Sequence, residues 1–238
     1  MLPDAVLFDL DGCLVDSEPL SLAMLAAELR ASGLENATSQ MTRQNYLGWS
    51  ITDVCKDVSS RLGKPCPKDL VANYHSRLYA TYDKGLARIE AMVSLLDLLQ
   101  SKNITTAIAS GGLLLRIDRT LSCTNLAGRF KGRIFSGEEV ERGKPAPDLF
   151  LYAAEKLGVS ADKCIVVEDS PHGIEGAIAA GMRAVGFTGG THLDGIRPSH
   201  SKRLYSAGAH DVQQEASFLS RSILGEQGCE TAQLLAGT

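Results

Sequence analysis

Two rhythms of apolar and polar positions alternate along this chain. Short continuous apolar runs, which suit strands buried on both faces, occur at residues 5–8, 105–109, 134–136, 164–167 and 184–187. Segments of helical length lie between several of them, with their own punctuation. Pro147-Asp148 opens a helix over 149–157 that Gly158 ends, and Ser170-Pro171 opens another over 174–180 that Gly181 closes. Leu95, Leu96, Leu98 and Leu99 mark a helix just before the second strand. Strands separated by helices predict parallel βαβ units, hence an α/β fold with helices on both faces of a parallel sheet.

Residues 17–88 break that rhythm. Segments 20–29, 52–62 and 70–82 read as amphipathic helices with little strand signal between them, and the sole tryptophan, Trp49, lies here. This predicts an all-helical insertion at 17–88 within an α/β core made of 1–16 and 89–238. Beyond about Gly225 the pattern weakens, which suggests a frayed helix.

Composition narrows the class without fixing it. With 44% apolar and 22% charged residues the chain reads as an ordinary soluble protein, and its net charge of −4 offers no basic surface for nucleic acid. No apolar run is long enough for a membrane span, and residues 2–8 run into Asp9 instead of forming a signal peptide. The six cysteines (Cys13, Cys55, Cys66, Cys123, Cys164 and Cys229) show no C-x-x-C spacing, so free thiols in a reducing cytoplasm are expected.

The chemistry gathers at the ends of the strands. Asp9 and Asp11 follow the first apolar run, with Gly12 to bend the backbone. Two carboxylates there repel each other and are costly to desolvate, which a divalent cation would relieve. Ser110-Gly111-Gly112 follows the second run. A tight turn opening a helix accounts for it equally well, but that turn also offers N–H groups and a hydroxyl to a phosphate. Lys144 sits between Gly143 and Pro145, and Glu168-Asp169 ends the fourth run. An oxygen-rich set of Asp9, Asp11 and Asp169 suits a hard cation such as magnesium.

In this order the residues resemble the haloacid dehalogenase-like hydrolase superfamily, over nearly the whole chain. Asp9-Leu10-Asp11-Gly12 looks like its first motif, Ser110 its second, Lys144 its third and Glu168-Asp169 its fourth. The phrases at 12–18, 143–148 and 168–170 resemble the subgroup with a helical cap, which includes β-phosphoglucomutase-like enzymes and phosphatases of sugar phosphates and sugar-acid phosphates such as 6-phosphogluconate. The resemblance implies a Rossmann-like core plus a cap domain, and a phosphatase acting through an aspartyl-phosphate. It implies Asp9 as nucleophile and Asp11 as acid and base. Ser110, Gly111, Gly112 and Lys144 would bind phosphoryl oxygens. Mg2+ would be held by Asp9, the Asp11 carbonyl and Asp169, with Glu168 behind them or on a metal-bound water. Glu18, Gly48 and Trp49 are the cap-side candidates for substrate contact.

The same resemblance leaves other readings open. Mutases of the subgroup carry a histidine and a basic residue where this chain has Ser21 and Ile51. Dehalogenation does not need Asp11, and a non-catalytic binding protein would not need the intact set. A small phosphorylated substrate, no nucleic acid, no membrane, and a monomer or weak homodimer complete the expectation. Cys13, where the subgroup usually has threonine, is a mild departure.

Overall fold

The computed structural model describes residues 2–225 of the protein, so the expectation for the segment beyond Gly225 and for Cys229 lies outside the described residues. The chain divides into two compact units, one of Met1–Asp16 with Arg88–Thr238 and one of Ser17–Ala87.

The first unit is a parallel six-stranded sheet of β1 (Ala5–Phe8), β2 (Thr105–Ser110), β3 (Ile134–Ser136), β4 (Cys164–Glu168), β5 (Arg183–Phe187) and β6 (Asp211–Gln213), in the order β3-β2-β1-β4-β5-β6. Five strands stand where apolar runs predicted them. The sixth carries no apolar run, because it is a three-residue edge strand, half-buried throughout and written with Asp211 and Gln213. An edge position tolerates such residues, since one side of the strand meets solvent.

Helices α5 (Glu90–Ser101), α6 (Leu114–Cys123), α7 (Asp148–Leu157), α8 (Pro171–Ala179), α9 (Arg197–Ser206) and α10 (Ala216–Leu224) belong to this unit. Ala5, Leu7, Ala107, Ala109 and Val166 pack with Leu149 and Phe150 of α7 and Ile174 and Ala177 of α8. Strand alternation sends Val6, Phe8 and Ile108 to the opposite face, where α5 lies against β2 and α10 against β5. Both faces are therefore covered, which is why the strands read as unbroken apolar runs. The chain leaves β1 toward β2 on one side and returns to β4 on the other. The carboxyl ends of β1 and β4 thus flank the point where strand order reverses, the place where open α/β sheets take their ligands.

The second unit holds α1 (Glu18–Ala31), α2 (Ser39–Tyr46), α3 (Ile51–Leu62) and α4 (Leu70–Tyr82). Three of these match the amphipathic segments. The fourth, α2, was not predicted, because Ser-Gln-Met-Thr-Arg-Gln-Asn-Tyr buries only Thr42 and Tyr46. It is nucleated by Thr38, whose hydroxyl accepts the Met41 N–H at 3.1 Å, and tied to α1 by the Thr42 hydroxyl on the Leu22 carbonyl at 2.9 Å. Capping and tertiary contact make this helix where periodicity is silent.

Candidate active site

β1 delivers Asp9 to the sheet edge, and the Asp9 N–H donates to the Val167 carbonyl at 2.9 Å, extending the pairing of β1 with β4 by one residue. The chain then turns tightly, with the Gly12 N–H on the Val15 carbonyl at 2.8 Å. Gly12 has φ +83°, and a Cβ there would fall 2.2 Å from Asp169 Oδ2. The residue that bends the loop after β1 is therefore also the one that lets Asp169 come close.

β4 delivers Glu168 and Asp169. Glu168 is fully buried, and a Cβ on Gly173 of α8 would lie 1.9 Å from its Oε1. A bare helix face thus makes room for a buried carboxylate. Its Oε2 accepts the Ser170 N–H at 3.0 Å.

Lys144 reaches in from the loop before α7, just ahead of a cis Lys144–Pro145 peptide. Its Nζ donates to Asp9 Oδ1 at 2.6 Å, to the Ala109 carbonyl at 2.9 Å and to Glu168 Oε1. It also lies 5.3 Å from the centre of the Phe150 ring. The ammonium therefore ties together the ends of β1, β2 and β4.

The charges do not balance. Asp9, Glu168 and Asp169 are all buried, against the single ammonium of Lys144. Burial pushes the Asp9 carboxyl well above its usual range; Lys144 opposes that, while Glu168 and Asp169 add to it. Burial likewise raises Glu168 against the pull of Lys144. For Lys144, burial works to lower the pKa, but Asp9 and Glu168 outweigh it and hold the group protonated.

Ser110 ends β2, buried beside Ser136 of β3. Its hydroxyl accepts the Gly112 N–H at 3.1 Å, and the Ser136 hydroxyl donates to the Gly112 carbonyl at 2.6 Å. Gly111 is exposed, and a Cβ on it would meet nothing within 4 Å. The Leu114 N–H in the first turn of α6 donates to Glu138 Oε2 at 2.6 Å, so part of that helix start already serves an internal anion.

Asp9, Asp169 and Cys13 bring one oxygen, oxygen and sulfur each within 4.8 Å of one another. Cys13 is no ligand for a hard cation: burial, with Asp169 and Asp9 beside it, raises its thiol pKa, and its Sγ lies 3.9 Å from the Val167 carbonyl. Two carboxylate oxygens remain, which suits magnesium, a cation that keeps several waters beside one or two carboxylates. The side chains of Glu168 and Asp11 have partners of their own, which leaves the Asp11 carbonyl, the expected third ligand, apart from these contacts. Glu168 is held by Lys144 and the Ser170 N–H, and Asp11 Oδ1 lies 3.0 Å from Arg116 Nη2. Glu18 opens α1, while Gly48 and Trp49 lie between α2 and α3, all in the helical unit. Trp49 is 46% exposed, and its ring meets Tyr46 edge-on at 5.7 Å.

Three residues of this site were not foreseen. Arg116 sits on α6, and the signal for it was a charge interrupting the run from Leu113 to Ile117. His192 Nε2 lies 2.9 Å from Asp169 Oδ2, fully buried, and His200 Nε2 donates to the Asp169 carbonyl at 2.6 Å. The segment Gly189-Gly190-Thr191-His192 follows β5 and carries His192 there. Asp16 completes that link, accepting the Thr191 hydroxyl at 2.6 Å and its N–H at 3.1 Å.

Comparison with known proteins agrees with this geometry. The model of the haloacid dehalogenase-like hydrolases matches residues 6–187. The 6-phosphogluconate phosphatase of Escherichia coli K12 is 27% identical over 190 residues, covering 79% of this chain and 84% of that one. Hexitol phosphatase A of the same organism is 30% identical over 180 residues, covering 75% and 80%. A family hydrolase from Deinococcus radiodurans R1, solved with bound phosphate and sodium, superposes with a TM-score of 0.73 at 29% identity, covering 93% and 97%.

Proposed function

Because the chain belongs to the haloacid dehalogenase-like hydrolases and is an enzyme of that family, we propose that it is a magnesium-dependent phosphatase of a small phosphomonoester, a sugar phosphate or a phosphorylated sugar acid. The observation that carries this reading is the excess of buried carboxylate around Lys144 where the strand order reverses. The substrate class follows the activities of two relatives, a 6-phosphogluconate phosphatase and a hexitol phosphatase.

In this mechanism Asp9 attacks phosphorus in line and becomes an aspartyl-phosphate, while the substrate alkoxide leaves. Lys144 orients the Asp9 carboxylate through Oδ1 and balances part of the developing charge. Asp11 gives a proton to the leaving alkoxide and takes one from the water that hydrolyses the intermediate. Its contact with Arg116 fixes the carboxylate's place between those transfers. Ser110 and the N–H groups after it receive phosphoryl oxygens, with Gly111 leaving open space for their approach. Asp9, the Asp11 carbonyl and Asp169 would hold Mg2+, and the cation supplies charge neutralisation for a dianionic substrate meeting a carboxylate. Cys13 stays protonated and takes no part.

The mutase alternative fares worse on this chain's own contacts. At the position expected of a mutase histidine, Ser21 is buried and its hydroxyl is bonded to the Tyr74 hydroxyl at 2.8 Å. Ile51 stands where the basic residue would be. No helix among the described residues is long and apolar enough to cross a membrane. We read the protein as cytoplasmic, a monomer or weak homodimer working on a soluble metabolite without a nucleic-acid partner.

Phosphate release with magnesium, across sugar phosphates, sugar-acid phosphates, polyol phosphates and nucleotides, tests the proposal. Free phosphate with a preference for the first three classes is the expected result. Conversion of β-glucose 1-phosphate to glucose 6-phosphate without free phosphate would replace the phosphatase with a mutase.

A further inference from the structure

The helical unit carries a pair of thiols that plays no part in the chemistry above. Cys55 lies in the first half of α3, and Cys66 lies in the loop that joins α3 to α4. Sequence spacing alone gave no reason to pair them. In the fold a single hydroxyl brings them together. Ser59, one turn after Cys55, donates to the Cys55 carbonyl at 2.8 Å and accepts the Cys66 N–H at 2.9 Å. The returning loop is therefore pinned over the helix at the level of Cys55, and the two side chains meet as hydrogen-bond partners. Both thiols are half-buried and unoxidised, so a small solute can reach them.

We propose that Cys55 and Cys66 are an oxidation site, a dithiol that a peroxide converts to a disulfide within the helical unit. The proposal goes beyond the phosphatase reading and does not depend on it. Burial, together with the hydrogen bond to Cys66, pushes the Cys55 thiol up to about 11. Cys55 is thus held as a thiol within α3, and the first step is placed on Cys66, in the loop that returns over it. The Cys66 thiolate attacks the peroxide. A sulfur–oxygen bond forms, the oxygen–oxygen bond breaks, and the departing hydroxide takes up the proton that Cys66 released. The Cys55 sulfur then attacks the Cys66 sulfur. The sulfur–sulfur bond forms, the sulfur–oxygen bond breaks, and the second hydroxide leaves as water with the Cys55 proton. Two thiols lose two electrons, and one peroxide becomes two waters. Since the second step draws on a thiol that holds its proton, closure accelerates as the pH rises toward 11.

The test treats the reduced full-length protein with hydrogen peroxide, then denatures it, caps the remaining thiols and maps linkages by peptide mass spectrometry. A Cys55–Cys66 link is expected to form before any link through Cys13, Cys123, Cys164 or Cys229. Cys55→Ser should leave a sulfenic acid on Cys66, which dimedone traps. Ser59→Ala keeps both thiols and removes only the bridge. It should slow closure about fivefold, the factor held by one hydrogen bond of ordinary net strength. The proposal is overturned if both thiols are still capped after other cysteines have reacted. It is equally overturned if the link forms no faster in folded protein than in urea, since the fold would then contribute nothing to the pairing.

Discussion

In the helical unit, Glu28 is buried on α1 and accepts from Arg77 Nε at 2.9 Å and from Asn73 Nδ2 at 3.3 Å. In the α/β unit, Asp9, Glu168 and Asp169 are buried around Lys144, with His192 against Asp169. The first arrangement pairs one negative charge with one positive charge and a neutral donor. The second sets three carboxylates against one ammonium. A buried pair that closes on itself is what a fold needs to tolerate a charge inside it. An uneven cluster at a ligand-binding edge lowers stability, and such clusters mark sites that bind or react. Balance, and not burial alone, separates structural charge from functional charge in this molecule.

Breaking the uneven cluster should show the largest effect. Asp9→Asn removes the nucleophile and should lower kcat by about 10⁴-fold or more. The same change relieves the excess negative charge, so the melting temperature should hold or rise. A melting temperature that falls as if a structural pair had been broken would make the cluster a structural feature and undo the distinction drawn above.

Magnesium sharpens the same comparison. Chelation should abolish turnover, and adding the metal back should restore it. The cation should also stabilise the protein by about 2.7 kcal/mol at a hundredfold excess over its dissociation constant, an effect that Asp169→Asn removes. The sign of the pH dependence follows from Asp9. Its folded-state pKa is raised above the ordinary 3.8, so the folded protein binds more protons than the unfolded one across that interval. Metal-free stability is then full below 3.8 and is lost as pH rises through the raised value. The cation replaces those protons, so thermal shifts measured with and without magnesium should diverge as pH rises. Parallel curves would mean that the metal does not meet Asp9.

The difference between the two units also explains what the sequence could tell. In the α/β unit, buried strands announce themselves as apolar runs, and any polar residue at the end of one stands out. Asp9, Ser110, Glu168 and Asp169 were found that way. Lys144 lies on a loop and gained its weight from Gly143 and Pro145. Arg116 lies inside α6 and His192 five residues past the end of β5, so neither stands at a strand end; each reaches the cluster by a side-chain approach that only the folded chain reveals. In the helical unit, polar residues face outward as a matter of course, so Glu18, Gly48 and Trp49 had no background to stand against. The helix α2 was hidden for the same reason, and the meeting of Cys55 with Cys66 depends on a loop path that spacing does not encode.

The balanced pair should respond to mutation in the opposite way to the cluster. Glu28→Ala leaves kcat nearly unchanged and lowers stability by about 1–2 kcal/mol, toward the low end for a buried pair because Arg77 is half-exposed and can turn to water. Denaturant unfolding measures it. A loss of activity at full stability would show that charge balance is a poor guide to role.

The smallest effect concerns His200, which holds the main chain of Asp169 without carrying charge. Burial lowers its pKa from the ordinary 6.5, against the opposing pull of the Asp169 carbonyl. Its Nε2 donates to that carbonyl, while its Nδ1 is buried without a hydrogen-bond partner. Protonation would therefore add a proton where no acceptor meets it. With the folded pKa below the unfolded one, the unfolded chain binds the extra proton first. Stability is full above 6.5, falls as pH drops through that value, and levels off below the folded pKa. His200→Gln keeps an amide donor for the Asp169 carbonyl and removes the titration, so the decline in melting temperature on acidification should become shallower. An unchanged decline would move the acid sensitivity to another group and leave His200 a hydrogen-bond donor alone.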